Sequence, residues 1–146
     1  MALDEATTRL LAQLAESGAR PLHEMTPEEA RAFMAGLRES HVPGPEMARV
    51  DDAVVTVADG SFPVRVLVPD DSPRAVIVYY HGGGWVIGDI DGFDTLGRVL
   101  ARRTGCAVVL VDYRKAPEHR YPTAVEDSWA ALRWVSERVD EIAGAR

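Results

Sequence analysis

The sequence predicts an α/β protein built around a parallel β-α-β unit. Two runs, at residues 75–80 and 106–111, are apolar throughout, which is typical of strands covered by helices on both faces of a parallel sheet. Residues 95–104, which lie between them, place apolar side chains at helical spacing and precede Gly105, a residue suited to end a helix. We therefore expect strand, helix and parallel strand in that order.

An antiparallel hairpin is expected before this unit. Residues 54–57 read as a strand, valines alternate over residues 64–68, and the Asp59-Gly60 pair between them is a hairpin signal. After the unit, apolar residues at near-helical spacing predict a last helix over residues 123–139. Residues 141–146 read as the beginning of a loop.

Residues 1–40 are predicted to be helical. Thr26 can cap a helix, Pro27 suits its first position, and Glu29 can complete a capping box. The turn-rich stretch 41–45 then separates this segment from the extended part of the chain. The expected organisation is a helical segment over residues 1–45 and an α/β segment over residues 46–146.

Length and charge exclude several classes of function. A chain of 146 residues can bury about two-thirds of its unfolded surface, enough for one core. A net charge of -7 argues against sequence-independent binding of nucleic-acid phosphates. No apolar run reaches the roughly 18–20 residues that cross a bilayer, and no secretory signal is visible, so a cytoplasmic location is expected. Cys106, in an apolar run, is predicted to be a buried structural thiol.

The stretch His81-Gly82-Gly83-Gly84-Trp85 directly follows the first buried strand. Consecutive glycines cost backbone entropy, so they are expected where the backbone takes unusual dihedral angles or approaches a ligand. In acyl-transfer enzymes such a loop directs N–H groups at the oxygen that becomes negative in the transition state. A purely structural turn remains the alternative. A dinucleotide loop would need glycine where Ile87 stands, and a P-loop would need a lysine near the glycines, whereas the only lysine is Lys115.

A second motif follows the next buried strand. Residues 112–122 read D-Y-R-K-A-P-E-H-R-Y-P, and residues 124–127 read A-V-E-D. With the H-G-G-G-W stretch, these motifs make the chain resemble the bacterial esterase branch of the hormone-sensitive-lipase family of α/β-hydrolases. The resemblance implies the N-terminal half of an α/β-hydrolase fold: a helical lid or cap over residues 1–45, then the first half of the catalytic domain over residues 46–146.

The resemblance also implies roles for individual residues. The N–H groups of Gly83 and Gly84 would be oxyanion donors, and His81 and Gly82 would support the loop. Trp85 would line a substrate pocket, with packing in the core as the alternative. A polar brace beneath the site would consist of Asp112, Tyr113, Arg114, Glu118 and Asp127. Ordinary surface ion pairs are the alternative for Arg114 and Glu118, and a solvated carboxylate in the first helical turn is the alternative for Asp127.

The resemblance implies ester hydrolysis through an acyl-serine intermediate, with short acyl chains and without metal or cofactor. No serine of the chain is flanked by glycines in a G-x-S-x-G pattern. The nucleophile, acid and base are therefore expected from a missing C-terminal half, in the same or a second chain. Without that half, residues 1–146 are not expected to form a stable monomer, and association, including with a second copy, is expected at the bare sheet edge.

Other functions remain open at this stage. One alternative is an inactive hydrolase that serves as an interaction module, and another is part of an amidase or lactonase. The aspartates at 89, 91 and 94 do not fit a calcium loop and are predicted to serve loop solubility and to cap a helix that begins at residue 95. His23, His41 and His119 show no metal-ligand spacing and are expected at the surface.

Overall fold

A mixed sheet forms the centre of the protein in the computed structural model, which describes residues 3–16, 18, 20–38 and 42–144, with Leu10 described by its backbone alone. The strands are β1 (Arg49–Val57), β2 (Gly60–Val68), β3 (Val76–Tyr80) and β4 (Ala107–Val111). Their order across the sheet is β1-β2-β4-β3. The pairs β1–β2 and β2–β4 are antiparallel and β3–β4 is parallel. The predicted hairpin and the parallel unit are thereby confirmed.

Helices cover both faces of this sheet. They are α1 (Glu5–Glu16), α2 (Pro27–Arg38), α3 (Ile90–Thr104), α4 (Thr123–Ser136) and α5 (Val139–Ala143), with a 3-10 turn at Leu22–Glu24. On one face Leu67 and Leu110 of the sheet pack with Ala101 of α3. On the other face the sheet valines pack with Ala131 of α4 and Ile142 of α5. This is the two-sided burial that the apolar strands predicted.

The two parallel strands are not equally buried. Every residue of β4 is buried, whereas β3 is half-buried and its last residue, Tyr80, is exposed. β4 lies between β2 and β3, but β3 has a hydrogen-bonded neighbour on one side only within the part of the chain that the structure describes. An apolar strand therefore forms an edge of the sheet.

Several predicted boundaries are wrong. The third helix begins at Ile90 rather than at residue 95, because the carboxylate of Asp89 accepts the N–H of Gly92 at 2.8 Å and caps it. The predicted last helix ends at Ser136, and α5 forms where a loop was expected, because Ile142 is buried in the core. Cys106 is half-exposed rather than buried.

The hairpin turn also differs in detail from the prediction. Val57 pairs with Gly60, so the two turn residues are Ala58 and Asp59 instead of Asp59 and Gly60. Residue 60 has to be glycine for a steric reason, since a Cβ there would lie 2.6 Å from Nη1 of Arg114. The glycine therefore makes room for a guanidinium group.

The capping box predicted at the beginning of α2 is confirmed by two hydrogen bonds. The backbone N–H of Thr26 donates to the Glu29 carboxylate at 2.7 Å, and the N–H of Glu29 donates to the Thr26 hydroxyl at 3.2 Å. These two bonds form a capping box. Of the predicted linker, residues 41–45, His41 lies outside the described residues, as do residues 39 and 40 before it.

Candidate functional site

The backbone after β3 makes a turn with three consecutive residues at positive φ, which we call the glycine turn (residues 83–87). The φ angles are 129° at Gly83, 60° at Gly84 and 59° at Trp85. The Gly83 carbonyl accepts the N–H of Val86 at 3.1 Å and that of Ile87 at 3.0 Å. A Cβ at residue 83 would lie 2.1 Å from the Ile87 carbonyl oxygen. The turn therefore requires glycine at this position.

Three backbone donors in this turn are unused. Within the described part of the chain, the N–H groups of Gly83, Gly84 and Trp85 donate to no backbone or side-chain acceptor. Donors held by a closed turn can stabilise a developing negative charge without reorganising. A Cβ would meet nothing within 4 Å at Gly82 or at Gly84, but Gly82, unlike Gly84, does not have a positive φ.

His81 lies buried at the base of the turn. Its Nδ1 lies 2.8 Å from the carbonyl oxygen of Gly82, and its own carbonyl accepts the hydroxyl of Tyr113 at 2.6 Å. The His81 ring stacks on Tyr113 with centroids 4.5 Å apart, and Phe93 lies 5.5 Å away on α3. Gly88 leaves room for the ring, because a Cβ there would lie 2.5 Å from Nδ1. His81 is thus fixed by contacts on several sides.

Asp112 brings a charge close to this histidine. One carboxylate oxygen of Asp112 lies 3.6 Å from Nε2 of His81 and accepts a bond from the Lys115 ammonium. Burial acts to raise the pKa of Asp112, but the contacts with His81 and Lys115 outweigh burial and lower it. Asp112 is therefore ionised at neutral pH. The hydroxyl of Tyr113 is held neutral, because burial and the Asp112 charge raise the pKa of Tyr113.

Arg114 and Asp127 form a buried ion pair beneath the 112–122 loop. Asp127 accepts the backbone N–H of Arg114 at 2.9 Å and two guanidinium bonds at 3.0 and 2.8 Å. The Asp127 side chain is 0% exposed. The Arg114 guanidinium also reaches Asp59 in the hairpin turn at 2.9 Å. The alternative that Asp127 is a solvated carboxylate is therefore wrong, as is a surface ion pair for Arg114.

Trp85 stands at the rim of an apolar cavity of about 410 Å³. Its side chain is 64% exposed, so packing in the core of the described residues is excluded. The cavity lies between the glycine turn and the beginning of α4, and its other lining residues include Gly84, Ala116, Tyr121 and Val125. The backbone N–H of Ala116 donates to the Trp85 carbonyl at 2.8 Å and joins the two motif loops.

Comparison with known proteins agrees with this geometry. Residues 77–146 match a family described as having the alpha/beta hydrolase fold. The chain has the α/β-hydrolase fold and resembles the hormone-sensitive-lipase family. Its similarity to the carboxylesterase NlhH of Mycobacterium tuberculosis is 46% identity over 123 residues, which is 80% of this chain and 37% of that protein.

Solved structures resemble this chain equally clearly. The thermostable carboxylesterase EstE1, cloned from a metagenomic library, is 40% identical with a TM-score of 0.76 over 83% of this chain and 42% of its own. A thermostable esterase from Pseudomonas putida is 32% identical with a TM-score of 0.87 over 97% of this chain and 45% of its own. The chain thus spans less than half the length of these relatives.

One residue at the site was not indicated by any sequence motif. Arg31 of α2 donates to the carbonyl of Val86 at 2.8 Å and to that of Ala116 at 2.7 Å. It also makes two bonds of 2.8 Å to the carboxylate of Glu118, whose side chain is 55% exposed, so Glu118 forms the surface ion pair that was the alternative to its brace role. The pKa of Glu118 is lowered to about 2, and the bonds from Arg31 are the largest cause.

The remaining predicted residues lie apart from this centre. The aspartates at 89, 91 and 94 face arginines at 38, 65 and 98. No group of three or more histidine, cysteine or acidic residues suited to a metal occurs among the described residues. His23 and His119 are exposed. Of the helices in the described ranges, none combines the length and the apolar character needed to span a membrane.

Proposed function

We propose that residues 81–85 are the oxyanion-binding loop of a carboxylic-ester hydrolase that acts through an acyl-serine intermediate. The observation that carries this proposal is the glycine turn, with the unused N–H groups of Gly83 and Gly84 beside an apolar cavity. In the reaction these donors would stabilise the tetrahedral oxyanion. His81 and Gly82 would support the loop, and the buried Arg114–Asp127 pair would hold the 112–122 loop below it.

The substrate is a small-molecule ester with a short acyl chain. The cavity of about 410 Å³ bordered by Trp85 and Tyr121 supports this choice, because its size and apolar lining suit a small apolar group. Several relatives carry the names carboxylesterase, arylesterase and ethyl acetate hydrolase. The nucleophile, acid and base are supplied by residues outside 1–146, and a cytoplasmic location is part of the proposal.

A serine-reactive fluorophosphonate tests this proposal. The tagged protein is isolated gently from its own cells, labelled, and every species is weighed, while hydrolysis of p-nitrophenyl acetate and of p-nitroacetanilide is followed. We expect a labelled serine in polypeptide beyond residues 1–146 and hydrolysis of the ester but not of the anilide. A 15.9 kDa chain that is alone, unlabelled and inert would refute the esterase assignment for this molecule.

A second candidate function is an interaction module without catalysis. It is favoured by an apolar stripe on α4, in which Val125, Trp129 and Leu132 are 56%, 62% and 43% exposed. Exposed apolar surface of this kind marks contacts with other proteins. The labelling experiment separates the two candidates, because an interaction module would retain its companion protein without a reactive serine.

A further inference from the structure

Arg31 joins the helical segment to two loops of the site. Its Nε donates to the Val86 carbonyl and its Nη2 donates to the Ala116 carbonyl, at 2.8 and 2.7 Å. A guanidinium group is planar and presents its donors in a fixed fork, so the two carbonyls are held at one spacing. Helix α2 is thereby tied to both motif segments through backbone atoms.

The bond to Val86 acts on the glycine turn itself. The N–H of Val86 is one of the two groups that close the turn on the Gly83 carbonyl, at 3.1 Å. The Ala116 carbonyl, bound by the same guanidinium, belongs to the residue whose N–H holds Trp85 at 2.8 Å. Arg31 therefore contacts the end of the turn directly and its middle through Ala116.

The Glu118 carboxylate orients this guanidinium. It accepts one bond from Nη1 and one from Nη2, both 2.8 Å long. The two side chains are 33% and 55% exposed, and an ion pair so exposed contributes little by itself to stability. The bonds to the two carbonyls are what distinguish Arg31 from an ordinary surface partner.

We propose that Arg31 is a positioning residue, which holds the glycine turn in its oxyanion-binding shape by fixing the carbonyls of Val86 and Ala116. It touches no substrate and acts through the backbone. The effect on catalysis rests on the proposed esterase function, whereas the effect on the turn does not. The two effects can therefore be tested separately.

Amide hydrogen exchange of the full chain tests the effect on the turn. The rates at Val86 and Ile87 are divided by the rate at Val109 in β4, so that global unfolding cancels. Removing a charged hydrogen-bond donor should raise this ratio about tenfold or more in Arg31→Gln. Arg31→Lys, which lacks the fork, should give an intermediate ratio, and Glu118→Gln a smaller rise than Arg31→Gln.

Arg20→Gln is the matched control. Arg20 pairs at 2.7 Å with Glu29, which lies on α2 as Arg31 does, but Arg20 does not reach the loops. It should leave the ratio unchanged. An unchanged ratio in Arg31→Gln would overturn the proposal. A rise in Val86, Ile87 and Val109 exchange by the same factor would also overturn it, since Arg31 would then contribute to stability alone.

Catalysis is measured in the complete, serine-containing assembly. We expect Arg31→Gln to lower kcat about tenfold with little change in KM, because the turn acts on the transition state, and Arg31→Lys to restore part of it. A raised exchange ratio with unchanged kcat would refute the catalytic effect of Arg31. Absence of activity in the unmodified assembly would instead refute the esterase function and leave the exchange result standing.

Discussion

Gly83 is the residue at which the missing side chain matters most. Its φ of 129° and the 2.1 Å distance from a built Cβ to the Ile87 carbonyl leave no room for alanine. We expect Gly83→Ala to distort the glycine turn, to destabilise the fold by about 1–3 kcal/mol and to lower kcat of the proposed esterase by about 10². Urea denaturation and steady-state kinetics measure the two effects.

Gly36→Ala serves as the control for Gly83→Ala. Gly36 lies within α2, and a Cβ there meets nothing within 4 Å. Alanine at a helix interior should stabilise by roughly 0.5–1 kcal/mol. If both variants behaved alike, the shape of the glycine turn would not depend on the absence of a Cβ at residue 83.

Asp127 offers a second test at single-residue scale. Its carboxylate is fully buried and accepts three bonds from Arg114. Asp127→Asn leaves the guanidinium without its buried charged partner, and breaking a buried pair in this way should cost about 3 kcal/mol in the free energy of unfolding. Asp59→Asn, which removes the exposed partner of the same arginine, should change the urea midpoint much less. Equal effects would contradict the difference in burial.

The sequence could locate Gly83 and Asp127 but not Arg31, for a physical reason. Both located residues belong to motifs in which neighbouring positions constrain one another. Arg31 contacts carbonyls 55 and 85 residues away, and a backbone carbonyl is present at every position. No local pattern therefore distinguishes this arginine from those on the solvated face of an ordinary helix.

At the scale of elements, the docking of α2 depends on the charge of Glu118. Arg31 lowers the pKa of Glu118 from 4.5 to about 2. Because the folded-state pKa is the lower one, the stabilisation, which is small for an ion pair so exposed, is complete above about pH 5 and is lost as the pH falls towards 2.

We expect the urea midpoint of the natural chain to fall more steeply between about pH 5 and 2 than that of Glu118→Gln. The comparison is needed because the pKa of Asp112 is lowered too, so protonation of Asp112 also reduces stability in the same acidic range. Parallel pH profiles for the two chains would show that the ion pair does not hold α2 in place.

Element types were predictable, whereas some of their ends were not. The apolar runs determine β3 and β4, since only burial on both faces removes polar alternation. The beginning of α3 depends on which of the aspartates 89, 91 and 94 caps it, and the sequence offers all three. Helix α5 depends on burial of Ile142 against the sheet, which is a tertiary contact. Local patterns do not contain that information.

At the scale of the molecule, the edge strand β3 and helix α4 both expose apolar side chains. Tyr80 at the end of the edge strand is 37% exposed and Trp129 is 62% exposed. Unpaired strand edges and apolar patches promote association. We expect the average mass of residues 1–146 in sedimentation experiments to rise with concentration, and Trp129→Glu to weaken this rise.

Leu11→Glu is the control for Trp129→Glu. Leu11 is 49% exposed, but it lies on α1 and so belongs neither to β3 nor to α4. The substitution should leave association unchanged. A monomer at every concentration, or equal effects of the two substitutions, would show that the face formed by β3 and α4 is not an interface.

The bond from the Ala116 N–H to the Trp85 carbonyl has a consequence for how the cavity can vary. Both atoms belong to the main chain, so the loops stay joined whatever side chains residues 85 and 116 carry. Those same side chains border the cavity. Libraries randomised at these two positions should therefore yield enzymes that differ in the ester they select while sharing one loop geometry, with glycine and asparagine at residue 85 fitting its positive φ best.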